Sequence, residues 1–521
     1  MTFRLVLTPP KVAGHLLAVT FALFCFANSL LLFSSQIPRL FLLDEASYGE
    51  TYVLYDVLHF QNTGEIYRDL PQPPYLPAQY SPLMYMLYSL PSRAIASENA
   101  FVGPRIVALA AFISCIAVVI SIVRLLIPLR YAWIWALLLA TSISAFQGGW
   151  AYWIISPRGD LPGIVFSLLA IRLLLSRSSY AAFPAGLCAG LATQFKITLV
   201  AAMAAGFLWL LFRKRWRESA AFAVAAALSS LGLYLFFWVH EPRMFSQMTA
   251  LSPGTKDLRG WFTLTFRAVR EPVFLLALLA LPPVASPRSP RWTLLFLFAL
   301  ISFVIAALTE LQAGGNINYF FEALLALVPA AVLGILRLIH WTRQDVRISA
   351  LLSAIVLFYF LPPVALDLYQ TLWLKSSYHD VESSNHRFRE VQNALGGLHI
   401  FSTVPRLALL DAAPALTEPY LMAYMQQLRK FDPQPILQRV RAKEFDVVIT
   451  LLHSENFRGV PRIAPELHQA IEAAYEPWCT MIGALIHLPR GRPAEGDVVR
   501  KLDSNGCVPL RGRPTEAGLS W

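Results

Sequence analysis

Apolar residues in this chain gather in long unbroken runs rather than recurring at a helical or strand period. A run of about 17–25 apolar residues is long enough to cross the hydrocarbon core of a bilayer as a helix. The first such run is Gly14–Phe33, and others lie near 101–123, 131–149, 161–176, 181–195, 197–212, 219–239, 273–286, 292–309, 320–339 and 349–366. The pattern predicts an α-helical polytopic membrane protein of about eleven transmembrane helices. The 181–195 run is short for a full crossing. Arg4 and Lys11 precede the first run, and no small-residue cleavage site ends it. It reads as an uncleaved first span with the N-terminus in the cytoplasm.

Between the first two runs lies a long segment, 36–100, predicted to stay outside the cytoplasm. Tyr80–Tyr88 within it repeats apolar and aromatic residues at helical spacing, and Pro91 and Arg93 then cut the run short. This predicts a helix lying at the membrane interface with its aromatics at headgroup level. After about residue 366 the pattern changes. Short β-like runs (Leu398–Ser402, Leu407–Leu410, Phe445–Leu451, Gly483–Leu488) alternate with helical stretches such as Tyr420–Lys430 and Pro435–Ala442. The chain therefore divides into a transmembrane catalytic domain, 1–366, and a soluble C-terminal α/β domain, 367–521.

Composition sharpens this division. Hydrophobic residues make up 56% of the chain and charged residues 14%, against about 25% charged in ordinary soluble domains. The mean hydropathy is +0.52. Single soluble domains, disordered chains and disulfide-dense secreted scaffolds are excluded. The net charge of +11 does not point to nucleic acid, because the surplus sits wholly in 1–366, with 26 Lys/Arg against 15 Asp/Glu, while 367–521 holds 17 of each. With the N-terminus inside, the short turns predicted to be cytoplasmic hold 15 basic residues, as the positive-inside rule requires. Cys25, Cys115 and Cys188 fall in the predicted spans, whereas Cys479 and Cys507 lie in the tail. Spacing alone leaves a disulfide between the last two open.

Ionisable residues at span ends are costly unless they are paired or used. On the predicted non-cytoplasmic side they collect at Asp44-Glu45, Arg158-Gly159-Asp160, Lys196, His240-Glu241, and Glu310 with Asn316, Asn318, Tyr319 and Glu322. A carboxylate there can take a proton from an attacking hydroxyl, and a cation can stabilise a departing phosphate. Each also has a plainer reading: a solvated helix cap for Asp44-Glu45, a local ion pair for Arg158 and Asp160, a snorkelling chain for Lys196, an interfacial histidine for His240.

The order of these segments resembles the GT-C membrane glycosyltransferases, and most of all their protein-mannosyltransferase and aminoarabinose-transferase-like branch. The resemblance rests on the acidic pair closing the first span and on Tyr80-Ser81-Pro82-Leu83-Met84-Tyr85-Met86-Leu87. Gly103-Pro104-Arg105, Arg158-Gly159-Asp160-Leu161-Pro162, Gly190–Thr198 and Gly315–Glu322 add to it. It implies a GT-C-like fold, a polyprenyl-phosphate-sugar donor, a glycan, lipid or protein acceptor, and inverting transfer at the non-cytoplasmic face of a bacterial inner membrane. It also implies Asp44 as the base, with Glu45, Arg158, Lys196, Tyr319 and Glu322 binding substrate. Asp160 matches a position that is a divalent-metal ligand in some branches and a structural partner in others; no other cofactor is implied. A secondary transporter, or a polysaccharide polymerase or ligase using a lipid-linked donor, are the competing readings. A transporter fits less well because the charges gather at one face and no internal repeat is evident.

Overall fold

The fold is that of a computed structural model, which describes residues 12–47, 49–70, 72–94, 99–145, 151–176, 178–250, 256–280, 290–312, 315–342, 377–408, 415–416, 419–451, 463–491 and 496–510. The N-terminal part is wholly helical. Its helices are α1 (Val12–Arg39), α2 (Glu50–Thr63), α3 (Pro82–Ala94), α4 (Val102–Leu126), α5 (Ala132–Ala145), α6 (Asp160–Leu174), α7 (Ala182–Thr193) and α8 (Ala201–Phe212). There follow α9 (Trp216–Ala227), α10 (Leu233–His240), α11 (Met244–Met248), α12 (Leu258–Val269), α13 (Pro272–Leu278), α14 (Pro290–Glu310) and α15 (Phe321–Thr342).

Among the described residues, five segments are long and apolar enough to cross a membrane: Ala18–Arg39, Val102–Leu126, Trp216–His240, Pro290–Glu310 and Ile317–His340. Three shorter apolar helices, Ala132–Ile143, Ala182–Thr193 and Ala201–Phe212, stand beside them. The chain is thus an integral multi-pass helical protein. The expected span at 349–366 and the end of the one at 273–286 lie outside the described residues. Exposed Val19, Leu23, Phe26 and Leu30 form a stripe on α1 with the three- and four-residue steps of a helix face, the surface a span offers to lipid.

Two expectations are corrected here. The helix in the first loop does not present its aromatics at an interface, because Met84, Tyr85 and Tyr88 are fully buried against neighbouring helices. It also runs through Pro91 to Ala94. The stretch before the run at 273–286, for which no element was expected, holds a separate helix: α12 ends at a break at Arg270-Glu271, and Pro272 opens α13 where hydropathy places it.

The C-terminal part is an α/β body. Six strands, β1 (Ile400–Ser402), β2 (Ala415–Leu416), β3 (Val447–Leu451), β4 (Tyr475–Met481), β5 (Ala484–Pro489) and β6 (Val508–Pro509), form one sheet in the order β2-β1-β3-β5-β4-β6. β2, β1 and β3 are parallel, and the remaining pairings are antiparallel. Successive residues of a strand face opposite sides. Phe401 and Val448 accordingly join one core with α19 (Gln434–Arg441) and α20 (Pro465–Ala474). Ile400, Val447 and Ile449 join another with α16 (Ser377–Leu395) and α21 (Asp497–Ser504). The remaining helices are α17 (Pro405–Ala408) and α18 (Pro419–Gln427). The strand expected at Leu407–Leu410 is not seen: Pro405 starts a helical turn that takes Leu407 with it, and 409–410 lie outside the described residues.

This body closes over the first loop. Tyr75, at φ 59°, lies buried in the core formed by Phe401, Tyr424, Ile436 and Phe445. Leu421 and Met425 of α18 pack with Tyr52, Leu76 and Ala250 of the helical part. Cys479 and Cys507 form a disulfide that joins β4 to the residue before β6.

Candidate active site

The acidic pair sits in a short loop between α1 and α2, and a fully buried arginine builds that loop. Arg105, from the first turn of α4, donates from Nε to Glu50 Oε1 at 2.7 Å and from Nη2 to Glu50 Oε2 at 2.9 Å. Its remaining donors reach the carbonyls of Arg39, Leu42 and Asp44. It satisfies the open C-terminus of α1, where a cation is favoured, and fixes the backbone of Asp44. Glu50 also accepts from the Ala46 amide at 2.7 Å.

On this frame the Asp44 carboxylate points to the C-terminal body. Its Oδ2 accepts from Arg406 Nη1 at 2.8 Å and its Oδ1 from the Glu45 amide at 2.7 Å. Burial raises the Asp44 carboxyl above its usual value, opposed first by Arg406. Glu45 Oε1 accepts from the Thr51 amide at 2.9 Å. Burial pushes Glu45 up to about 7, against the Thr51 hydrogen bonds, and the Glu50 and Asp44 charges add to the rise.

The second group of charges centres on Asp160 at the start of α6. Lys196 Nζ lies 2.5 Å from Asp160 Oδ1, and Asn318 Nδ2 donates to the same oxygen at 2.9 Å. The ammonium also stands 3.6 Å above the Tyr319 ring, a close cation–π contact. Glu322 lines the same small cavity and accepts from the Ser302 hydroxyl at 3.0 Å. The Lys196 turn is held by a π-helical turn, Leu228–Gly232, inside the Trp216–His240 span. That widening offers the Ser230 carbonyl to Gln194 Nε2 at 2.9 Å. Tyr234 adds a hydrogen bond to the Thr193 carbonyl at 2.6 Å.

Arg158 stands between the two groups. Its guanidinium lies 4.4 Å above the Trp153 ring and donates to the Tyr80 hydroxyl at 3.3 Å. The Tyr88 hydroxyl holds the Arg158 carbonyl at 2.8 Å. Ser156 is 2.7 Å from Ser47 of the acidic loop. Gly49, at φ 80°, is so close that an added Cβ would meet Arg158 Nη2 at 3.1 Å. Arg158 thus neighbours the loop that carries the acidic doublet on one side and Asp160 on the other, and Asp160, Lys196, Tyr319 and Glu322 line one small cavity. His240 and Glu241 are not part of it: His240 is exposed, and Glu241 accepts from the Ile66 amide at 3.2 Å.

The close approach between Arg158-Gly159-Asp160 and Phe195-Lys196 depends on a missing side chain. A Cβ on Gly159 would stand 2.0 Å from the Phe195 carbonyl oxygen. Gly159→Ala is expected to destabilise the protein by about 1–3 kcal/mol through overpacking and to separate Lys196 from Asp160. A lowered thermal midpoint, with a cysteine pair placed at 160 and 196 cross-linking less readily in the alanine background, checks this.

Asp160 Oδ1 is taken by the Lys196 ammonium and the Asn318 amide NH₂, and Oδ2 is buried without a hydrogen-bond partner. Among the described residues no three His, Cys, Asp or Glu side chains come together that could hold a metal. The sequence reading did not assign roles to Arg105, Glu50 or Arg406. Arg105 and Glu50 lie in segments it had singled out, whereas Arg406 carried no signal.

No family model and no curated protein matches this sequence. Solved structures do match in shape. ArnT from Cupriavidus metallidurans bound to undecaprenyl phosphate is similar at 11% identity and a TM-score of 0.56, covering 92% of this chain and 98% of that one. The same enzyme in the apo state gives 10% identity and a TM-score of 0.57 over the same shares. The Archaeoglobus fulgidus oligosaccharyltransferase in its apo form is more distant, at 12% identity and a TM-score of 0.47, covering 90% and 74%. The likeness to ArnT is one of fold, and it spans nearly the whole of both chains.

Proposed function

We propose that this chain is an inverting glycosyltransferase that moves a sugar from a polyprenyl-phosphate donor to an acceptor at the non-cytoplasmic membrane face. Residues 1–366 carry the chemistry and 367–521 form the roof. The observation that supports this reading is the nearness of Arg158 to the loop of Asp44-Glu45, with Lys196 paired to Asp160, two residues further along the chain from Arg158. The acceptor oxygen attacks the anomeric carbon from one face while its proton passes to Asp44. The bond from that carbon to the phosphate oxygen breaks on the other face, which inverts the centre. The charge left on the lipid phosphate is met by Arg158 and Lys196, cations already held in place and largely shielded from water. Tyr319 and Glu322 line the small cavity beside Lys196 and are assigned to the donor side of the site.

Glu45 gives the reading a pH signature. Its carboxyl titrates near 7, and losing that proton sets a second negative charge beside Asp44, which makes Asp44 the stronger base. The transfer rate is expected to rise through about pH 7, and Glu45→Gln to remove that inflection while the rest of the profile persists. A profile of kcat/KM for donor, measured on both proteins, checks it.

The direct test of the function is to incubate the purified protein in nanodiscs with a panel of radiolabelled polyprenyl-phosphate sugars and membrane extract, and to identify the labelled product. Formation of an inverted glycosidic bond is the expected result. Flux of sugar across sealed proteoliposomes with no bond formed would overturn the reading in favour of transport.

A further inference from the structure

A second cavity, of about 540 Å³, lies in the C-terminal α/β body. Its walls come from three places: Arg387, Glu390 and Val391 on α16, the Thr480–Gly483 end of the β4–β5 hairpin, and the stretch from Asn505 to Val508. The Cys479–Cys507 disulfide ties the second wall to the third. The volume falls among those of small-molecule sites, about 300–1,000 Å³. Guanidinium, carboxylate, hydroxyl and amide groups stand around apolar Val391, Met481 and Ile482. Donors and acceptors placed beside apolar surface suit the hydroxyls and C–H faces of a sugar ring.

Two routes connect these walls to Asp44. Asn385, two residues before Arg387 on α16, accepts from the Leu43 amide at 2.7 Å and donates to the Phe41 carbonyl at 3.0 Å. The Ile482 carbonyl accepts from Arg406 Nη2 at 3.0 Å, and Arg406 Nη1 holds Asp44 Oδ2. Ile482 adopts φ 40°, a left-handed conformation that β-branched residues seldom take and that costs energy to maintain. That strained turn aims its carbonyl at Arg406. In this arrangement both Asp44 oxygens already accept a hydrogen bond, and the neighbouring cation lowers the basicity that proton transfer needs.

We propose that this cavity is the acceptor subsite, that it takes a glycan, and that its occupation moves the hairpin end so that Arg406 releases Asp44. The inference rests on the transferase reading and adds the class of acceptor and the means of its coupling to the base. Arg406 acts here as a positioning residue.

The test places a plug in the cavity of the full chain. Arg387 is exposed and lies on a helix surface, so Arg387→Cys can be labelled with maleimides of increasing size in nanodiscs, with the parent protein treated alike as control. Two readouts are taken: transfer from the radiolabelled donor to membrane-extract acceptors, and binding of radiolabelled undecaprenyl phosphate. Transfer should fall stepwise with adduct size, to about a tenth with the largest, while lipid binding stays within about twofold. Glu390→Cys with the same adducts repeats the measurement from the next turn of the helix. Transfer that survives the largest adduct at both positions overturns the proposal, and so does parallel loss of transfer and lipid binding. An unlabelled parent that binds the lipid yet forms no glycosidic bond from any donor instead sinks the transferase reading, a result no plug produces. Arg406→Gln tests the coupling: the acidic limb of the pH–rate profile should move to higher pH, and an unmoved limb removes Arg406 from the device.

Discussion

Asp44→Asn lowers sugar transfer by about 10²–10⁴-fold, the range expected when a positioned base is removed, and leaves the protein inserted and folded. The amide keeps the shape of the carboxylate. It keeps one acceptor oxygen, for either Arg406 or the Glu45 amide, and loses the other bond because its NH₂ takes the place of the second oxygen, while Arg105 holds the backbone regardless. What is lost is the capacity to take a proton. Binding of the lipid phosphate, which the proposal gives to Arg158 and Lys196, should change by less than about threefold. Single-turnover transfer and lipid binding on the same preparation check the split. Activity close to that of the parent would remove Asp44 from the mechanism.

Lys196→Ala is expected to reduce transfer by about 10²–10³-fold, as when a preorganised charge-stabilising group is deleted. Here stability must be separated from chemistry. The lysine is paired with a carboxylate that is only 7% exposed, through a contact of 2.5 Å. Removing one member of such a pair leaves the other charge stranded and costs about 3–5 kcal/mol. The double variant Lys196→Met, Asp160→Asn removes both charges and is expected to regain most of the thermal midpoint without regaining transfer. A double variant that recovers activity along with stability would mean that the pair merely holds two helix ends together.

The two parts of the molecule were legible to different depths, for physical reasons. Long apolar runs announce themselves because a span carries few charges along its length, so helices such as Val102–Leu126 and Pro290–Glu310 fall where hydropathy places them. The helix Leu258–Val269 escaped because Arg259 and Arg267, on its exposed side, break the continuous apolar run that marks a span. Asp44, Arg158, Asp160 and Lys196 stood out because ionisable groups at span ends are rare and costly. Arg105 was quoted only as part of a motif. Its role depends on Glu50, 55 positions away, and a sequence read locally does not show that meeting. Arg406 lies 362 positions from Asp44, in a stretch that reads as ordinary surface. In the C-terminal body, β1, β3 and β5 showed as short apolar runs, β-branched in β3, whereas β4 is Tyr475-Glu476-Pro477-Trp478-Cys479-Thr480-Met481, whose proline and lack of aliphatic alternation hide a strand at the sheet's antiparallel side.

Tyr75 bears on how the protein is made. The ring it contributes is surrounded by residues 401–475, which leave the ribosome more than three hundred residues after it. Until they arrive, the first loop has no partner for that ring, and Asp44 has no Arg406. The loop frame that Arg105 and Glu50 build needs nothing from that body. What arrives late is the cover over the loop and the hand on Asp44, so the frame of the site is laid down first and its restraint is added afterwards.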